Sequence, residues 1–201
     1  MPISSRIRIR DEKLLSDHWA TLKTTTFDFQ RSDGRWQEHR RETYDRGNGA
    51  AILLYNLARR SVVLTRQLRY PAFVNGHDEL LVEVPAGVLD AASPEDCIRA
   101  EAEQEAGYAV RQPRQVFEAF MSPGSVTEKL HFFVAEYEPS DRISSGGGLE
   151  HEGEDIEVFE APFDEALAMI ADGRVRDGKT IMLLQYAALH LFAAAPPASP
   201  R

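Results

Sequence analysis

The sequence predicts an α/β fold, more fully an α+β fold, in which helices cover both faces of a mixed β-sheet. Strand-like runs of β-branched and aromatic residues lie before, between and after two or three helical segments, as such a fold requires. The chain has 201 residues, of which 43% are hydrophobic, so it can bury one good core. We therefore expect one enzyme-sized domain with a small added unit.

The N-terminal region forms the added unit in this prediction. Residues 18–29 and 35–46 are rich in Thr, Phe, Trp and Tyr and flank a Ser-Asp-Gly turn, which indicates a hairpin. We assign residues 1–45 to a small antiparallel β region and residues 46–192 to the main domain. The Pro-rich segment 193–201 is expected to be a disordered tail.

The main domain contains further strand-like and helical segments. Apolar residues recur at helical spacing from Phe163 to Ile170 and predict an amphipathic helix at 162–173. Another helix is expected at 177–192. The strand-like segments of this domain lie at 50–56, 61–69, 80–87, 114–124, 129–139 and 154–162.

The segment that begins at Ser93 predicts a helix with two acidic side chains on one face. Ser93 is a good N-cap, Pro94 suits the first helical position, and Gly107 supplies the C-terminal stop. Glu101 and Glu105 lie about 6 Å apart along the helix axis. Their like charges therefore face each other unless something neutralises them.

Two interpretations of the acidic pair are open. Most Glu pairs at this spacing belong to the solvated face of a surface helix. Alternatively, the pair binds a divalent cation, and oxygen ligands favour Mg²⁺ or Mn²⁺ over zinc. The preceding Pro-Ala-Gly turn favours the metal site, because Gly87 lets the backbone approach closely and the Ala86 carbonyl is free to act as a ligand.

The turn and the helix together resemble the Nudix box. Gly87, Glu101, Glu105, Gly107 and Tyr108 match its pattern. The similarity runs from about residue 10 to 190 and is closest to the GDP-mannose pyrophosphatase branch of the Nudix hydrolases, within the nucleoside diphosphate sugar and ADP-ribose pyrophosphatase group. It implies a Nudix α/β/α sandwich and a homodimer formed through the N-terminal sheet.

The segment also departs from the usual Nudix box. Ser93 stands in place of the first Glu, Ala100 in place of Arg, and Gln104 in place of one Glu of a Glu-Glu pair. The spacing from Gly87 to Glu101 is one residue short. Gln104 matters most, because an amide keeps the size of Glu but loses its charge. Any metal held partly through that position is expected to bind more weakly.

A second acidic element lies in the glycine-rich segment 144–158. Such loops are often functional or simply solvated. Next to a metal helix, we expect a lid in which one carboxylate completes the metal shell or orients water. The resemblance assigns this role to Glu154, with Glu152 as a rival because the loop is longer than usual. It implies metal ligation by Ala86, Glu101, Glu105 and Glu154, and catalytic roles for Glu154, Glu105 and Glu101.

Several cations are candidates to face phosphate groups, although each is otherwise an ordinary surface charge. They are Arg40, Arg41, Arg66, Arg69 and Lys179. The resemblance assigns substrate contacts to a partly overlapping set, in which Trp19 stacks on the base. Trp19 would serve equally as a buried strand residue. The implied substrate-binding residues are Trp19, Arg40, Arg41, Glu42, Arg69, Gly87, Glu128 and Lys179.

The composition limits the partners and the compartment. A net charge of −9 argues against nucleic acid as a general partner. No apolar run approaches the length of a membrane span, and the N-terminus lacks the apolar stretch of a signal peptide. The single cysteine, Cys97, excludes an internal disulfide and fits a reducing cytoplasm. We expect a cytoplasmic protein without nucleic-acid or membrane partners.

The expected function is the Mg²⁺-dependent hydrolysis of the pyrophosphate bond of a nucleoside diphosphate sugar. GDP-mannose is the leading substrate and would give GMP and mannose 1-phosphate. One alternative is the same chemistry on ADP-ribose or another nucleotide, since base selectivity rests on a few hydrogen bonds. The other is a non-catalytic nucleotide-sugar binding module in which Ser93 and Gln104 mark an eroded metal site.

Overall fold

The computed structural model describes residues 2–89 and 93–193. The expected disordered tail lies outside the described residues from position 194 onward. The chain divides into two compact units. The first contains the residues up to Asn48 together with Ala119–Leu130, and the second contains Gly49–Glu118 and the chain from His131 onward. The expected domain boundary at residue 45 stays a prediction.

The first unit contains a three-stranded antiparallel sheet. Its strands are β1 Ile7–Asp17, β2 Thr21–Gln30 and β3 Trp36–Asp45, and β2 lies in the middle. β2 and β3 form a hairpin, which confirms the prediction made from the Ser-Asp-Gly turn. β1 is an edge strand, and nearly all of its side chains are exposed.

The second sheet has seven strands. They are β4 Gly49–Asn56, β5 Ser61–Gln67, β6 Leu81–Glu83, β7 Ala86–Val88, β8 Arg114–Phe120, β9 Lys129–Glu136 and β10 Glu157–Pro162. Five strands follow the order β10-β5-β4-β9-β8, while β6 pairs with β5 and β7 pairs with β4. β5 is antiparallel to β4. β9 runs parallel to β4, since Lys129 donates to Asn48 at one end and Tyr137 donates to Tyr55 at the other.

The structure contains all three of the predicted helices. Within the described residues they are α1 Tyr70–Val74, α2 Pro94–Glu101, α3 Phe163–Ala171 and α4 Gly178–His190. A π-helical turn at Ala102–Ala106 follows α2, and 3₁₀ turns lie at Ile3–Arg6, Pro139–Asp141 and Glu150–Glu152. The sequence did not predict α1, because it is five residues long and buries none of them, so it leaves no periodic pattern.

Strand β4 divides the core into two layers because its side chains alternate between the faces of the sheet. Ile52 and Leu54 pack in one cluster with Ile98, Ala102 and Ala106 of the helical segment after Ser93. The helices α3 and α4 supply a separate set of fully buried residues, and α4 packs against β4. That set includes Phe163, Ala166, Leu183, Leu184 and Ala187. The expected sheet with helices on both faces is therefore confirmed.

A helix that crosses a membrane must be both long and apolar. In the part of the chain that the structure describes, no helix combines the length and the apolar character that a membrane span requires.

Candidate active site

The helix that carries the acidic pair begins and ends where its capping residues predict. Ser93 Oγ accepts a hydrogen bond from a backbone N–H of the first turn at 3.1 Å, and Pro94 is the first helical residue. Gly107 ends the helix with a left-handed φ of 78°. Between Ala102 and Ala106 the helix becomes π-helical, which the sequence did not reveal. Such turns are frequent at functional sites, and this one contains Glu105.

The expected turn at Ala86-Gly87 is wrong, since these residues belong to strand β7 and pair with β4, but the segment meets both acidic side chains. The Ala86 N–H donates to Glu105 Oε2 at 2.8 Å. A β-carbon on Gly87 would overlap the carboxyl group of Glu101, so only glycine leaves room for that side chain where it lies. The structure thus brings together the Ala86-Gly87 segment and the two carboxylates that the sequence singled out.

Glu105 is almost fully buried, with 2% of its surface exposed. Burial is the main reason why the pKa of its carboxyl rises from 4.5 to about 8. The Ala86 N–H and the Arg69 charge lower this pKa, whereas the neighbouring charges of Glu101 and Glu154 raise it. A buried carboxyl beside two others is a group that gains from a bound cation, because the cation compensates the cost of ionising it.

The glycine-rich loop is hydrogen-bonded to the end of the same helix. The N–H of Gly147 donates to the Glu105 carbonyl, and the N–H of Gly148 donates to the Gln104 carbonyl, both at 3.0 Å. A β-carbon on Gly146 would overlap the Glu105 carbonyl. This part of the expected lid is therefore docked on the helix, and its glycines permit the close approach.

Glu154 is the loop carboxylate best placed to join the acidic pair. It is half-buried, its Oε2 accepts the Leu149 N–H at 2.8 Å, and its charge acts on Glu105. Its rival Glu152 lies in an exposed 3₁₀ turn, 3.8 Å from the His151 ring. The geometry favours Glu154 over Glu152.

Gln104 does not face the enclosed Glu105 carboxyl. Its side chain is exposed, whereas that of Glu105 is buried. Consecutive helical residues point in clearly different directions, so the two side chains diverge. The position of Gln104 therefore gives no support to the expectation that its amide weakens the metal site.

Two of the candidate cations converge on a residue that the sequence did not single out. Arg69 Nε donates to Glu83 Oε2 at 2.7 Å, and Lys179 Nζ pairs with Glu83 Oε1. Arg66 instead pairs with Glu157 at 3.0 Å. Glu83 is the only charged residue in the apolar run of 80–87, and that isolated charge was the signal that would have revealed it.

The remaining predicted substrate residues lie in the first unit. Trp19 is 75% exposed in the turn between β1 and β2, so the alternative of a buried strand residue is wrong. The Arg46 guanidinium lies 5.4 Å from the Trp19 ring and its Nε lies 3.5 Å from Glu128 Oε1. Arg40 Nε donates to Thr24 at 3.1 Å.

A cavity in the same unit contains two further predicted residues. Arg41 and Glu42 line this space of about 660 Å³. The loop after β8 lines it as well, including Phe120, Val126 and Thr127. The sequence had linked this loop to the site only through Glu128, which follows Thr127.

Comparison with known families identifies both parts of the chain. A family model described as the GDP-mannose pyrophosphatase NudK N-terminal domain matches residues 6–44, and a NUDIX domain model matches residues 45–184. The second match alone covers more than half of the chain. The chain belongs to the NUDIX family. The Ala86-Gly87 segment and the helix that ends at Gly107, which resemble the Nudix box, lie within this match.

Curated relatives match the Nudix chain over nearly its whole length, and each is named GDP-mannose pyrophosphatase. The one from Pectobacterium atrosepticum is 58% identical over 92% of this chain and 95% of its own length. The one from Klebsiella pneumoniae is 52% identical over 92% of both chains. The one from Salmonella arizonae is 52% identical over 94% of this chain and 97% of its own.

Substitution of Gly87 by Ala tests the fit between β7 and the helix. The added methyl group would displace the Glu101 carboxylate, and we expect Mg²⁺ affinity, measured by calorimetry, to fall about tenfold or more. Gly124→Ala is the matched control, since a β-carbon there meets no atom within 4 Å. Equal Mg²⁺ affinity in Gly87→Ala and Gly124→Ala would contradict this geometry.

Substitution of Glu105 by Gln tests the raised pKa of the buried carboxyl. Because the folded-state pKa lies above the unfolded one, the metal-free protein loses stability as the pH rises from about 4.5 to 8. Glu105→Gln removes that loss. We expect the variant to gain on the order of 2 kcal/mol in free energy of unfolding over the wild type at pH 8.

The measurement is urea unfolding in EDTA at several pH values. The difference between Glu105→Gln and wild type should grow between pH 5 and pH 8, and added Mg²⁺ should reverse it by stabilising only the wild type. Stability curves that run parallel over this pH range would show that the Glu105 pKa is ordinary.

Proposed function

We propose that the chain hydrolyses the pyrophosphate bond of a nucleoside diphosphate sugar with the help of Mg²⁺, and that GDP-mannose is its substrate. The products would be GMP and mannose 1-phosphate. The convergence of Glu101 and Glu105 on the Ala86-Gly87 segment carries this proposal, because carboxylates beside a backbone carbonyl are the oxygen ligands that suit a divalent cation. The names of the relatives support the choice of GDP-mannose.

The proposed metal ligands are the Ala86 carbonyl and the carboxylates of Glu101, Glu105 and Glu154. All four donors are hard oxygens, which suit Mg²⁺ and also Mn²⁺. The raised pKa of Glu105 fits this role, since a nearby cation would favour its ionised form. When bound, the metal would neutralise phosphate oxygens and lower the pKa of a water molecule.

The side chains of the site would share the remaining work. Glu154 would orient the attacking water and accept its proton, and its half-buried position supports this role over the exposed Glu152. Arg69 and Lys179 would hold phosphate oxygens that are not attacked. Trp19 would stack on the base. The further proposed substrate contacts are Arg40, Arg41, Glu42, Gly87 and Glu128.

The test is a panel of nucleotide sugars with Mg²⁺ or Mn²⁺, with products identified by mass spectrometry. GDP-mannose should give GMP and mannose 1-phosphate. Glu101→Gln and Glu105→Gln should each lower kcat about 100-fold or more, because each removes charge from the metal site. Glu103→Gln, an exposed residue of the same helical segment, should keep wild-type kcat.

Three results would overturn the proposal. Preferential cleavage of ADP-ribose would change the substrate. Full turnover in Glu101→Gln or Glu105→Gln would remove the metal site from the mechanism. Nucleotide-sugar binding without Mg²⁺ dependence and without products would establish a non-catalytic binding module.

We further propose that two copies associate through the first unit. Strand β1 lies at the edge of its sheet and exposes four large apolar side chains: Ile7, Ile9, Leu14 and Leu15. A second copy would remove this apolar surface from water. In sedimentation equilibrium, wild type should be a dimer and the double variant Ile9→Glu with Leu14→Glu a monomer. The control is Leu189→Glu in α4, where the wild-type side chain is 71% exposed, and it should leave the dimer intact.

A cytoplasmic location and the absence of nucleic-acid and membrane partners also belong to this proposal. The net charge of −9 and the presence of a single cysteine, Cys97, in the sequence support them.

A further inference from the structure

Glu83, which has no role in the proposed reaction, is a buried carboxylate at the centre of a charge cluster. It is the last residue of β6, and its side chain is 3% exposed. Each of its carboxylate oxygens binds one cation: Oε2 accepts from Arg69 Nε at 2.7 Å, and Oε1 accepts from Lys179 Nζ. One carboxylate therefore joins two of the residues proposed to bind phosphate.

The two cations come from different elements, so Glu83 links parts of the fold that are distant in sequence. Arg69 is the residue before α1, and Lys179 lies in the first turn of α4. Asp177 caps α4 and lies 3.1 Å from Lys179 Nζ. The Val84 N–H donates to Thr180 Oγ1 at 2.9 Å and fastens the end of β6 to the same helix.

Arg69 keeps N–H groups that are available to bind a ligand. Within the described residues, only its Nε makes a hydrogen bond, and the side chain is 40% exposed. Partial burial acts to lower the pKa of Arg69, but the charge and hydrogen bond of Glu83, with the charges of Glu105 and Asp177, raise it above the ordinary value. The guanidinium therefore stays charged and presents its Nη groups, which suit phosphate oxygens.

We propose that Glu83 is a positioning residue, which holds Arg69 and Lys179 so that their remaining donors meet the diphosphate of the substrate. This inference rests on the proposed function. Because Arg69 and Lys179 would contact phosphate groups that are not attacked, their binding acts in the ground state and the transition state alike. Loss of the positioning should therefore appear mainly in KM.

If Glu83 acted only through its charge, its neutralisation would change KM in the opposite direction. Glu83 carries a negative charge next to two phosphate-binding cations, so its neutralisation should strengthen the attraction for an anionic substrate. A positioning role requires the reverse, because without the carboxylate the two cations lose their shared acceptor and become mobile. The direction of the change in KM separates the two.

The experiment compares Glu83→Gln and Glu83→Asp with wild type in steady-state kinetics with GDP-mannose and saturating Mg²⁺. Glu83→Gln should raise KM about tenfold or more and change kcat by less than about threefold. Glu83→Asp keeps the charge but is too short to hold both cations, so it should also raise KM. Glu160→Gln is the matched control: its carboxylate pairs with Arg59 and Ser61, outside the proposed site, and KM should not change.

A second measurement does not depend on turnover. Calorimetry with inorganic pyrophosphate and excess Mg²⁺ should show that Glu83→Gln and Glu83→Asp each bind pyrophosphate at least about fivefold more weakly than wild type. Glu160→Gln should bind it as tightly as wild type. This measurement tests the positioning role of Glu83 even if wild type fails to cleave GDP-mannose. That failure would refute the proposed function but not the positioning role. A KM and a pyrophosphate affinity that stay the same or improve in both Glu83 variants would overturn the positioning role.

Discussion

The close contact between the Ala86-Gly87 segment and the two acidic side chains of the helix is the constraint on which the rest of the site depends. The Ala86-Gly87 segment belongs to β7, which pairs with β4, and the helix packs on the same strand through Ile98. A single buried strand thus positions both halves. Because the core holds them together, Glu105 stays buried although burial disfavours its charge.

The segment from β6 to β7 carries two charge clusters of opposite character. Glu83 gathers two cations, and three residues later Ala86 meets the acidic pair. A backbone stretch this short keeps the clusters close together. That spacing suits a diphosphate, which needs cationic side chains for its outer oxygens and a divalent metal close by.

Local sequence patterns predicted the main helices and strands, and the features that they missed have physical causes. The N-cap at Ser93, the stop at Gly107 and the hairpin before β4 depend on neighbouring residues, so the sequence alone reveals them. The π-helical turn at Ala102–Ala106 was missed because α and π turns use the same residue types. The pairing of Arg66 on β5 with Glu157 on β10 was not predicted either, because strand pairing alone brings the two side chains together.

The sequence by itself determined the fold class, the capped helix with its acidic pair and the glycine that must precede it, because these depend on spacing and on the conformational limits of single residues. Only the tertiary structure decided that Glu154 rather than Glu152 approaches Glu105, that Gln104 points to solvent, and that Glu83 joins Arg69 to Lys179. These facts depend on which distant segments pack together, and long-range packing leaves no mark in local spacing.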